Sequence, residues 1–159
     1  LNESCSVSVL DGPDVIYVAR AAANRIMSVN ITIGTRFPAY ATSMGRVLLA
    51  GLPERELDAY LDAVPLEPIT DQTITKPAAL REELTRVAKQ GYCIVDQELE
   101  AGLRSVACPI RNAEDQTIAA INVSTRAAAY ATDEVVRKLL PQLNDTALAI
   151  TRDVTTTNL

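Results

Sequence analysis

The chain has no histidine, no tryptophan, one phenylalanine and three cysteines in 159 residues. Lack of histidine excludes Ser-His and Cys-His nucleophile pairs, histidine general bases, and most zinc and non-haem iron sites. Cys5, Cys93 and Cys108 are odd in number, far apart, and form no C-x-x-C pair. Disulfide scaffolds are denser and even-numbered, so three buried thiols in a reducing cytoplasm are expected. No apolar run approaches the ~18–20 residues that cross a bilayer. No basic segment followed by a hydrophobic stretch opens the chain. A dense basic cluster is missing too: twelve Arg and three Lys are scattered through a chain of net charge −5. Affinity for nucleic acid rests on neutralising phosphates, so this chain alone is a poor nucleic-acid binder.

What is present is a globular composition, 48% apolar, of a length that suits one domain. The first residue is Leu, which is expected to mark a fragment whose native start lies upstream. Residues 4–10 (SCSVSVL) alternate with period two and 15–20 (VIYVAR) are β-branched and aromatic. The Asp-Gly-Pro-Asp between them is turn chemistry, predicting a hairpin. A third strand is expected over 26–33, ended by Gly34. A helix follows from Thr42 to Ala50, with Thr42 or Ser43 as N-cap. Helices are also expected with Pro53 at a first helical position, from near Pro77 to Gly91, and from Thr132 towards Asp153, the last kinked or divided at Pro141. With strands at 92–96, 103–110 and 117–124, the pattern reads as α+β around one antiparallel sheet flanked by α-helices.

Residues 28–50, SVNITIGTRFPAYATSMGRVLLA, carry the most information. The amides of Ser43, Met44 and Gly45 fall at a helix N-terminus, where unpaired N–H groups and the helix dipole favour an anion. Ordinary capping accounts for the same residues. Arg36 and Arg46 are near in sequence, and either can fork onto a carboxylate or bind carbonyls and surface acids. Arg36, beside the helix entry, is the better ligand of the two.

The second hairpin supplies another candidate surface. A loop centred between Ala113 and Glu114 sets Ser105 opposite Asn122 and Leu103 opposite Ser124. Period two then puts Leu103, Ser105, Ala107, Ile118, Ala120, Asn122 and Ser124 on one face. Val106, Cys108, Ile110, Ile121 and Val123 share the other. One face reads as core and the other as an apolar pocket with a few placed polar groups, although water-facing serines fit as well. Arg104 points away from this face in a regular strand. Asp96, Glu98 and Glu100 in VDQELE lack a fourth ligand, so a solvated strand end is expected there, not a metal site.

Three segments, SVNITIGTRFPAYATSMGRVLLAGLP, GYCIVDQELEAGLRSVACPIRN and IAAINVSTRAAAY, together resemble the effector-binding domain of IclR-type bacterial transcription regulators. The resemblance runs from about Ser4 to Asp153 and is nearest to the PcaR/PcaU/PobR branch, which governs the β-ketoadipate pathway. It implies a GAF-like α+β domain over 1–159 and an N-terminal winged helix-turn-helix domain, outside this chain, that binds promoter DNA. It further implies a cytoplasmic homodimer or homotetramer that binds a small carboxylate and needs no cofactor.

Family contacts carried onto this sequence fall on Ser43 and Met44 at the helix entry and on Leu103, Ser105, Asn122 and Ser124 in the strands. Members that bind two- or three-carbon oxoacids have an acid at Val95, a Gly at Ser43 and a Cys at Ser105. A less polar wall at Val95 fits a larger ligand such as protocatechuate, 4-hydroxybenzoate or β-ketoadipate. The expectation is therefore a ligand sensor rather than an enzyme, with an oligomerisation module carrying a vestigial pocket as the alternative.

Overall fold

Alternation along residues 4–11 sends Ser4, Ser6 and Ser8 to one side and Cys5, Val7 and Val9 to the other. In the computed structural model, which describes residues 2–23 and 31–157, this segment is β1 (Ser4–Asp11). It turns through Gly12 (φ +59°) and Pro13 into β2 (Asp14–Ala21). A positive φ at the first central residue is what a two-residue II′ hairpin requires. Of the strand expected over 26–33, residues 26–30 lie outside the described residues, while 31–33 are not strand and lead into a turn at Gly34. Among the described residues the third strand is β3 (Arg36–Pro38), paired to β2 from Asp14 to Ile16.

After a 3-10 turn at Ala39–Ala41 come α1 (Ser43–Ala50), α2 (Glu54–Ala63) and α3 (Pro77–Gln90). Pro53 caps α2 rather than entering it, whereas Pro77 sits at the first position of α3. Gly91, at φ +81°, closes α3 in the left-handed conformation common just past a helix end. Strand β4 (Cys93–Asp96) and the hairpin β5 (Leu103–Arg111) and β6 (Thr117–Arg126) complete one six-stranded antiparallel sheet, in the order β3-β2-β1-β6-β5-β4.

The C-terminal helix begins as α4 (Thr132–Glu134), widens into a π turn at Val135–Leu139 and continues as α5 (Leu140–Thr156). The widening lies just before Pro141, whose ring cannot fit against the carbonyl four residues back in a regular α turn.

Each face of the sheet carries its own core. On one, Tyr17, Val95, Ala107 and Ala120 pack under Met44, Val47, Leu48 and Leu49 of α1 and Leu80, Leu84 and Val87 of α3. On the other, Val106, Cys108, Ile110, Ile121 and Val123 meet Val135, Leu139, Leu143 and Ala147. A fully buried Leu, Val or Met contributes about 1.5–3 kcal/mol, which is why α1, with seven of its eight residues buried, is drawn across the sheet. The result is the α+β, GAF-like arrangement, with helices on both faces.

The faces of the second hairpin follow the expected alternation, but its register differs. Ser105 pairs with Ser124 and Ala107 with Asn122, while a bulge lies between Ile110 and Arg111. Asp115, with φ +61°, helps carry the longer loop. From Leu103 to Ile110 each pairing moves by two residues, so those side chains stay on their faces.

Candidate binding site

Helix α1 begins where Thr42, extended at φ −117° and ψ 147°, accepts the Gly45 amide on its Oγ1 at 3.0 Å. Its carbonyl accepts the Arg46 amide at 3.0 Å. The amides of Ser43 and Met44, first and second in the helix, find no acceptor among the described residues. They are the donors that a helix leaves over at its start. The Met44 side chain is wholly buried in the core, so this residue offers its main chain only. Gly45 lets the helix entry lie against the 3-10 turn: a Cβ there would sit 2.1 Å from the Ala39 carbonyl oxygen.

The Ser105 hydroxyl, on β5, donates to Ser43 Oγ at 2.9 Å. Asn122, on β6, accepts the Ser6 amide at 3.1 Å and donates to Ser124 Oγ at 3.2 Å. With Val95, Leu99, Leu103 and Tyr17 these residues enclose an inner cleft of about 20 Å³, room for roughly one water. The cleft adjoins a chamber of about 680 Å³ that shares Tyr17, Leu99, Leu103 and Ser124 with it. The chamber's other walls include Arg20, Phe37, Ile31 and Ile69. A volume of that order suits a small organic ligand, and so does an apolar wall bearing a few polar groups. Burial pushes the Tyr17 hydroxyl above its ordinary 10, against the opposing pull of the Arg20 charge. At neutral pH it is a neutral donor.

Six of the expected residues, Ser43, Val95, Leu103, Ser105, Asn122 and Ser124, thus line one cleft, and the Met44 amide follows directly on Ser43. Arg36 does not join them. It is exposed on β3, where Nη1 reaches Asp11 Oδ2 at 2.7 Å and Nε reaches Asp14 Oδ2 at 3.2 Å. Pairing of β3 with the start of β2 places it over the acidic turn of the first hairpin. Nearness in sequence to the helix entry was a poor guide.

Arg46 is also spoken for: it donates to both carboxylate oxygens of Glu98 and, through Nε at 2.7 Å, to the Tyr40 carbonyl. Arg104 points away from the cleft, as expected, and pairs with Asp96 at 2.9 and 3.0 Å. The solvated strand end expected of VDQELE is therefore wrong at Glu98, which is buried against Arg46. Gln97, at φ +60°, breaks the extended run, and Asp96 and Glu98 turn to different arginines. Among the described residues no group of His, Cys, Asp or Glu could hold a metal ion.

Arg20, Tyr17, Ser6 and Leu99 are the residues that sequence reasoning missed. A bulge between Val7 and Ser8 on the β1–β2 ladder sets Arg20 opposite Ser6 and Tyr17 opposite Ser8. Strict alternation would separate positions 17 and 20, but the bulge brings both to the cleft face. Arg20 Nη1 lies 3.4 Å from Ser6 Oγ.

The family model described as "Bacterial transcriptional regulator IclR C-terminal" matches residues 1–152. The Pca regulon regulatory protein of Pseudomonas putida is 43% identical over 155 residues, 97% of this chain and 52% of that protein. The p-hydroxybenzoate hydroxylase transcriptional activator of Acinetobacter baylyi is 33% identical over 147 residues, 89% of this chain and 54% of that one. The chain spans about half the length of these curated relatives.

Among solved structures, one from Rhodococcus sp. RHA1 described as a transcriptional regulator superposes with a TM-score of 0.96 at 55% identity. It covers 99% of this chain and 63% of its own. The inducer-binding domain of a double mutant of Acinetobacter PobR, in complex with 3-hydroxybenzoic acid, has a TM-score of 0.87 at 32% identity. That match covers 94% of this chain and 87% of the other. These relatives are transcription regulators, not enzymes. No helix among the described residues is long and apolar enough to cross a membrane.

Proposed function

This chain belongs to the IclR family of bacterial transcriptional regulators, as its effector-binding domain, and from that membership we propose that it senses a carboxylic acid of aromatic catabolism. The effector enters the 680 Å³ chamber and directs its acid group into the inner cleft. There the Ser43 and Met44 amides and the Ser43, Ser105 and Ser124 hydroxyls receive it, with Asn122 beside them. Val95 and Leu103 form the apolar wall. The single observation behind this reading is the leftover pair of amides at the entry of α1, beside a roomy apolar chamber.

In the complete regulator, promoter DNA is contacted by an N-terminal winged helix-turn-helix domain, and this domain contributes to a cytoplasmic homodimer or homotetramer. An effector shifts such an assembly only by binding one arrangement better than another. A 100-fold preference corresponds to about 2.7 kcal/mol, enough to move a marginal equilibrium.

Calorimetric titration of the chain with protocatechuate, 4-hydroxybenzoate and β-ketoadipate tests the proposal. Saturable binding of at least one is expected; flat heats with all three reject the ligand class. The small size of the inner cleft favours a second reading, an oligomerisation module whose pocket is vestigial. On that reading, Ser43→Pro leaves the effector response of the full-length regulator intact.

A further inference from the structure

The cleft and the chamber are two ends of one floor. Ser105 stands on β5 and Arg20 on β2, with β6 and β1 between them. Three inter-strand spacings separate those strands, ~14 Å at about 4.8 Å each. Asn122 and Ser124 on β6 and Ser6 on β1 fill the interval with short polar side chains on the same face. Resting on the effector reading above, we infer that Arg20 is a second recognition group of this cavity, selecting acids that carry another hydrogen-bond acceptor at the end away from helix α1.

Arg20 is suited to that task by what surrounds it. The β1–β2 bulge turns it onto the floor beside Tyr17, and it lines the chamber. Among the described residues its one hydrogen bond is the long 3.4 Å approach to Ser6 Oγ. No acid among the described residues forms an ion pair with it. Three other arginines of the sheet and α1 are occupied elsewhere: Arg36 by Asp11 and Asp14, Arg46 by Glu98, Arg104 by Asp96. A half-buried guanidinium with spare donors attracts a carboxylate or a hydroxyl oxygen. Glu3, half-buried and engaged with a partner of its own, also lines the chamber, and Glu100 and Arg126 reach it from exposed positions where water screens them. A ligand with one polar end leaves either the α1 amides or Arg20 without a partner. One with two polar ends satisfies both.

The test uses matched pairs of acids: hexanoate against adipate, and benzoate against 4-hydroxybenzoate, each titrated calorimetrically. The intact chain is expected to bind the two-ended member of each pair about tenfold or more tightly, the scale of a hydrogen bond to a charged group. In Arg20→Ala that preference should shrink to about threefold or less, with the one-ended acids little changed. Arg20→Gln, which keeps most of the stem, gives the same readout should the alanine variant fold poorly by circular dichroism. Retention of the full preference in both variants overturns the inference and leaves the effector reading standing. Equal weakening of both members of each pair also overturns it, since Arg20 would then not read the second end. Absence of binding by all four acids to the intact chain, and by the three acids named above, overturns the effector reading and this inference with it.

Discussion

Glu98, on the connection between β4 and β5, closes its carboxylate on the guanidinium of Arg46, one turn along α1 from the Ser43 amide. The arginine side chain is 1% exposed and the glutamate 11%. Glu98 is held further by the Ile74 amide at 3.1 Å, and its own carbonyl accepts the Thr73 hydroxyl at 2.7 Å. The pair therefore fastens the connection bearing Leu99 to the helix whose start faces the cleft. Glu98→Gln leaves a charged guanidinium buried without its counter-ion and should cost about 3–5 kcal/mol. Guanidinium chloride unfolding measures this, and a loss under about 1 kcal/mol would mean that water reaches Arg46.

Ser43→Pro separates the role of the amide from that of the fold. Proline suits the first position of a helix, and Thr42 before it is already extended at ψ 147°, as a residue preceding proline must be. Stability should change by about 1 kcal/mol, the Ser105 hydrogen bond being lost. Effector affinity should fall about tenfold as a donor disappears from the cleft. Unchanged affinity would place the acid elsewhere.

Gly45→Ala must push α1 off the 3-10 turn, because the added methyl meets the Ala39 carbonyl at 2.1 Å. Overpacking of this kind costs about 1–3 kcal/mol. A lowered melting temperature together with weakened effector binding is expected. Full stability in the variant would show that the helix can slide.

Arg36→Ala removes two exposed ion pairs at the first hairpin turn. Effector affinity should stay within error of the parent, and the melting temperature should move little. A marked loss of affinity would return Arg36 to the ligand.

Much of this architecture could be read from alternation and punctuation alone. Residues 103–110 and 117–124 kept their faces because a shift of the pairing by two residues preserves the parity of every side chain. Pro77 and Gly91 bounded α3 by chemistry local to the chain. What escaped notice was set by features without a local signal. The bulge between Val7 and Ser8 moves Arg20 across the sheet, yet nothing in SCSVSVL or VIYVAR announces it. Arg46 and Glu98 are 52 residues apart, so their pairing is a product of tertiary packing. Alternation along residues 4–8 did point to Ser6 as a floor residue, had β1 been placed beside β6.

The thiols offer a check on the two cores. Burial pushes Cys93 up to about 12 and Cys108 to about 11, from an ordinary 9.0. Both groups stay protonated in the folded state while the unfolded chain ionises, so their contribution is complete below pH 9 and is lost above it. Stability should fall by about 1.4 kcal/mol per pH unit per thiol from pH 9 towards 11. Denaturation at pH 8, 9 and 10 reads this fall, and Cys93→Ala should reduce it, the remainder coming from Cys108 and from Cys5, Tyr17, Tyr40 and Tyr60, which burial raises as well. A flat profile would show that the thiols are open to water.

Strands β5 and β6 stand with one foot in each core: Ser105 and Asn122 look into the cleft, while their covalent neighbours Val106 and Val123 press on the C-terminal helix. A pleated strand cannot rock on one side alone. Whatever wedges the serines apart also tilts the valines, so a ligand in the hollow would press on Leu139 and Leu143 on the far side of the sheet.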